Sequence, residues 1–223
     1  RLAMKRLIFT VLAVMIVGLT TAARRDLSAL ESANCYMVCG GENYSFLANV
    51  KGNGVATLGY SAHIDTKQIK GIKVVWEDSD FVIDESVKLS GSKILFSTKK
   101  GETKGNALIG IYSDEACSEG KCIWSWHIWL TDAVDCQIGG IVFLDRNLGA
   151  YSTTLGASGE NGCFWQWGRK EPIPASMKGM TVCYNKKQSY DFAVANPMTF
   201  LSRNSRWMDV EPAESWRKEG RKT

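Results

Sequence analysis

CIWSWHIWLTD, residues 122–132, sets Trp124, Trp126 and Trp129 close together, with His127 between them. Alternation at period two puts Trp124, Trp126, Ile128 and Leu130 on one face of a strand and Ser125, His127, Trp129 and Thr131 on the other. The first face is continuously apolar, as the interior between two sheets demands. Burying its two indoles is worth several kcal/mol at roughly 25 cal/mol per Å² removed from water. Trp129 is the large ring on the polar face, and it is expected at a domain interface because the chain soon enters a region of different texture.

Upstream, apolar residues alternate over short runs: Cys35–Val38, Tyr44–Leu47, Ile72–Trp76, Phe81–Ile83, Ile94–Thr98, Ala107–Tyr112 and Cys122–Leu130. Between them lie turn sequences such as KGNG (51–54), LSGSK (89–93) and SEGK (118–121). Short strands at this spacing, without a long helical period, predict a mainly β chain built on an antiparallel, Ig-like β-sandwich over residues 34–136. Beyond it a glycine-rich loop and a short helix over 189–196, capped by Ser189 and stopped by Pro197, predict an α+β region over 137–223.

Residues 1–23 have, from Met4 onward, a basic pair, an apolar run and a small-residue end, the order of a secretory signal peptide; residues 24–33 follow as a linker. Export, without a membrane span after cleavage, is the expected fate. Of the 27 basic side chains, three (Arg1, Lys5, Arg6) lie in that leader, leaving 24 against 23 acidic ones. Such a balance offers no electrostatic footprint for nucleic acid.

Export also permits disulfides among the seven cysteines. Cys35 and Cys39 would lie about 13 Å apart on one strand, too far to bond. Cys117 and Cys122 flank SEGK, where a hairpin would bring them face to face, and they are the candidate pair. No CxxC occurs and the two histidines, His63 and His127, are isolated, so neither metal nor cofactor is expected.

Catalytic patterns are likewise missing from the sequence. GASG (156–159) lacks the spacing of a nucleophile elbow, and neither HExxH nor a phosphate-binding glycine loop occurs. His127, inside a tryptophan-rich strand, is expected to be a core or sheet histidine rather than a base. In DRNLGA (145–150) the arginine is expected to pair locally within a turn. In CFWQWGRK (163–170), strand alternation would place Trp165, Trp167 and Arg169 on one face, an aromatic pair beside a fork of donors suited to a carbohydrate or peptide ligand.

Several phrases taken in order resemble a group of exported Bacteroidetes surface proteins described as fimbrillin-like cell-adhesion proteins: ANCYMV (33–38), YSF and VKGNG (44–54), KGNALIGIY (104–112), IWSWHIWLTD (123–132), FLDRNLGA (143–150), FWQWGRKEP (164–172) and ANPMTF (195–200). The resemblance implies an adhesin-type β module followed by a region similar to the Fibrobacter succinogenes major paralogous domain, itself C-type-lectin-like. Members usually continue into a segment like DPCPxGWRVP, so that region is expected to be incomplete here. The expected function is that of a non-catalytic cell-surface protein, outer membrane-associated or extracellular, acting as an adhesin or fimbria-like component. Its expected partners are other surface or fimbrial subunits, or host or microbial glycans. A carbohydrate-binding module is the alternative, and a surface hydrolase a more distant one.

Overall fold

The computed structural model describes residues 23–56, 61–132, 135–138, 140–157 and 159–202. The predicted leader, and the chain after residue 202, lie outside them. The fold is mainly β, with twelve strands and one six-residue helix among the described residues.

Two four-stranded sheets face each other. The first runs in the order β1 (Arg25–Asp26), β3 (Asn43–Leu47), β6 (Lys93–Ser97), β5 (Lys88–Ser90). The second runs β2 (Cys35–Val38), β8 (Cys122–Leu130), β7 (Gly105–Tyr112), β4 (Gly71–Glu77). One apolar core fills the space between them, drawing Tyr44, Phe46, Ile94 and Phe96 from the first sheet and Tyr36, Ile109, Ile111, Trp124, Trp126, Ile128 and Leu130 from the second. The Phe46 ring meets Tyr36 at 5.1 Å and Trp126 at 5.2 Å between centroids, so aromatic edges join the two sheets at the centre. Trp124 and Trp126 are therefore core residues, as strand parity requires.

Strand orientation departs from the antiparallel expectation. β1 pairs with β3 in parallel, and β2 pairs in parallel with β8, Cys35 opposite His127. The reason is topological. The chain crosses from one sheet to the other between β2 and β3, so the first strand of the second sheet is left to pair with its last. The predicted strand at Phe81–Ile83 also does not form: Val82 makes a single bridge to Thr98 before the chain turns through a 3-10 turn at Asp84–Ser86.

After β8 a hairpin joins β9 (Asp135–Ile138) and β10 (Ile141–Leu144), turning at Gly140 with φ +83°. Farther on, β11 (Thr181–Tyr184) and β12 (Thr199–Ser202) pair in parallel, linked by α1 (Tyr190–Ala195). Ser189 caps that helix, its Oγ accepting from the Phe192 N–H at 3.0 Å, and Pro197 follows the end. Among the described residues no helix is long and apolar enough to cross a membrane.

β8 is buried on both faces, apart from a partly exposed Ile123. Its inner face meets the first sheet. Its outer face is covered by the chain between residues 149 and 173, and that contact builds the site described next.

Candidate functional site

The outer face of the second sheet carries a row of polar side chains, one from each strand. Cys35 on β2 lies directly across from His127 on β8, and Asn106 on β7 lies diagonally beyond, paired in register with Trp129. Asp78 follows the end of β4. Cys35 Sγ is 3.1 Å from His127 Nδ1, and His127 Nε2 is 2.9 Å from Asn106 Oδ1. Asn106 Nδ2 donates to Asp78 Oδ2 at 2.8 Å and to the Gly149 carbonyl at 2.9 Å.

The orientation of the amide fixes the proton positions. Two acceptors flank the Asn106 NH₂ group, so its oxygen must face the imidazole. Nε2 of His127 then carries the hydrogen and Nδ1 presents its lone pair to sulfur, which makes the Cys35 thiol the donor. Burial holds both partners neutral, pushing the Cys35 thiol up to about 12 and His127 down to about 3.

The covering segment completes the row. Gly149 sits at φ +84°, and a Cβ there would come within 2.6 Å of Cys163 Sγ and 3.0 Å of Asn106 Oδ1, so only glycine lets its carbonyl reach the amide. Trp165 stands edge-on to the His127 ring at 6.0 Å and 72°. Trp129, expected at a domain interface, is buried and its Nε1 donates to the Ala150 carbonyl at 3.1 Å. Lys170 Nζ reaches the Ser125 hydroxyl at 2.9 Å and lies 4.1 Å above the Trp124 ring. In DRNLGA the arginine, Arg146, pairs locally with Asp145 at 2.6 Å and also reaches back to Asp132, fourteen residues upstream, at 2.7 Å.

The predicted platform of Trp165, Trp167 and Arg169 is not brought together. Trp165 is 38% exposed and Trp167 77%, but the Arg169 side chain is fully buried. Its NH2 donates to the carbonyls of Asn196 at 2.9 Å and Pro197 at 3.1 Å, and its Nε lies 3.3 Å from Glu171 Oε2. The cause is a turn where strand alternation had been assumed: Gly168 takes φ +77° and the Arg169 N–H bonds back to the Gln166 carbonyl at 3.0 Å. Arg169 thus ties the loop after α1 to this turn and is removed from any surface. Burial works to raise the Glu171 carboxyl, but Lys170 and Arg169 outweigh it and hold the group below its ordinary range.

The candidate disulfide does not form either. Cys117 and Cys122 are buried free thiols sharing a small cluster with Tyr112. Cys122 Sγ donates to the Trp124 carbonyl at 3.4 Å, whereas Cys117 Sγ packs against the backbone of Gly71. A bulge between Ile111 and Tyr112 sets Tyr112 opposite Cys122 in the hairpin, so Cys117 lies out in the turn rather than across from it.

The Cys35–His127–Asn106 row was not read from the sequence. Parity showed that His127 leaves the apolar face. What it could not show is that β2 pairs with β8, because no local signal sets a register between residues 92 positions apart. The chain matches no protein-family model, and comparison with curated proteins and with solved structures finds no match. The chain is accordingly a mainly β protein whose second sheet carries a buried polar row on its outer face.

Proposed function

We propose that this is an exported cell-surface protein that acts by binding, as an adhesin or a component of a fimbria-like assembly. The observation that carries the reading is the β9–β10 hairpin. Ile141, Phe143 and Leu144 on it are 60%, 50% and 49% exposed, and neither outer edge pairs with another described strand. Ile141 and Phe143 point to one side and Leu144 to the other, so one packed face would not cover them all. A strand added from another subunit would extend the ladder and cover apolar side chains at once.

The resemblance to fimbrillin-like proteins supports the same reading, in which the two facing sheets would be an Ig-like sandwich and the region after them C-type-lectin-like. The test is association in solution. Light scattering with size exclusion should show multimers of the wild-type chain, or co-purifying surface subunits, both lost in Phe143→Lys. A wild-type chain that stays monomeric and partnerless would remove the reading. Exposed Trp167 and half-exposed Trp165 favour glycan binding as a second reading. There Trp167→Ala should abolish a glycan-array signal without lowering stability.

A further inference from the structure

The outer-face row has a geometry that simple packing does not require. A histidine placed only to fill a sheet interface needs its two nitrogens satisfied. Here one nitrogen faces a thiol at the rim. β2 is the end strand of its sheet, Cys35 is half-buried, and Met37 and Cys39, of the same parity, are exposed. The His127 N–H bonds the Asn34 carbonyl, so the N–H of Cys35 itself is turned away from β8 toward the outer edge of the sheet. A thiol, an imidazole with its lone pair aimed at that thiol, and an amide fixing the tautomer are the parts of nucleophilic acyl transfer.

We propose that Cys35 is the nucleophile of an acyl-transfer centre, with His127 as its general base, acting on carboxylic esters or amides that approach along the open edge of β2. Asn106 is a positioning residue, and Asp78 and Gly149 hold Asn106. In the first step the thiol proton passes to His127 Nδ1 as sulfur bonds the carbonyl carbon and the C=O π pair moves to oxygen, where the Cys35 N–H can receive it. Collapse restores the C=O and breaks the C–O or C–N bond, and the leaving alcohol or amine takes the proton from Nδ1. The acyl thioester is then attacked by water or by an amine, whose proton returns through His127 to the Cys35 sulfur. Atoms and charge balance at each step, since the proton only shuttles within the pair.

The neutral resting pair is compatible with this course. Burial penalises a lone thiolate or a lone imidazolium, but transfer between adjacent groups leaves the site without net charge. The other titratable groups facing the pair are Asp78, behind Asn106, and the buried thiol of Cys163. This proposal goes beyond the binding reading and does not rest on it.

The test uses the full chain and 4-nitrophenyl acetate between about pH 5 and about pH 9, with the acetyl group located by peptide mass spectrometry. Cys39, exposed on the same strand's continuation, serves as the accessible comparison thiol in the same molecule. Acylation of a free alkyl thiol such as N-acetylcysteine rises roughly tenfold per pH unit below its pKa, whereas Cys35 should acylate at about pH 6–7 at a rate that varies little with pH. Cys35→Ser should abolish the hydroxylamine-sensitive adduct and leave the fold intact by circular dichroism. Asn106→Ala should slow Cys35 acylation about 100-fold at neutral pH and restore the ordinary pH slope. Failure of Cys35 to acylate while Cys39 does, or a Cys35 profile parallel to that of Cys39, overturns the proposal. Should Asn106→Ala not fold, the wild-type comparison of the two thiols decides alone.

Discussion

At the residue scale, Arg169 and Glu171 show how misleading a polar side chain can be when only its neighbours in sequence are known. Removing Arg169 strips the buried Asn196 and Pro197 carbonyls of their donor and leaves Glu171 with Lys170 alone, and breaking such a buried ion pair costs about 3–5 kcal/mol. Arg169→Met should therefore lower the free energy of urea unfolding by an amount in that range, whereas Trp167→Ala, at an exposed ring, should change it by less than about 0.5 kcal/mol. Gly149→Ala meets both a left-handed backbone and a filled space, and should cost more than about 1 kcal/mol in the same assay. The turn at Gly168 is the physical reason Arg169 was misplaced. One residue with positive φ ends the alternation, and a sequence read at period two cannot show where that happens.

At the element scale, β8 was the most legible part of the chain. Its alternation named the inner face residue by residue, because one face meets an apolar core and the other a polar row, and period two separates the two sets. Its outer face was legible only as a change of polarity, since what covers it comes from residues 149–173. Within the core, Trp126→Ala should cost about 3–5 kcal/mol. Trp126→Phe should cost clearly less, because the buried Trp126 Nε1 has no hydrogen-bond partner among the described residues and phenylalanine removes that unpaired donor. Equilibrium denaturation of the two variants side by side checks the order. The helix α1 was legible for a local reason, a serine cap before it and a proline after it, both of which act within one turn.

At the scale of the whole molecule, two buried groups make stability depend on acid in the same direction. His127 folds with its value near 3 against an ordinary 6.5, so its contribution is complete above pH 6.5 and is lost as pH falls from there toward 3. The Glu171 carboxyl is held below its ordinary 4.5, so its contribution is complete above that value and is lost as pH falls below it. The denaturation midpoint should therefore fall steadily below about pH 6.5. In a Glu171→Gln variant, itself destabilised, the part of that slope below 4.5 should flatten. Nitrogen-detected NMR of His127 should show a neutral ring protonated at Nε2 throughout the range above pH 5. The long-range order of the sheets was the least legible property of all, because pairing between distant strands is decided by the whole packing and leaves no mark on either strand alone.

The parallel pairing of β2 with β8 also sets a sequence of events in time. A chain synthesised from its N-terminus produces Cys35 long before His127, and the second sheet cannot close until β8 has emerged. During that interval Cys35 is an unassisted thiol, open to oxidation or to capture by Cys39, Cys117 or Cys122, which precede His127 in the chain. Its imidazole partner arrives with the last strand of the sheet, so an altered Cys35 reactivity would appear only once the second sheet has closed and could be used as a clock for that step.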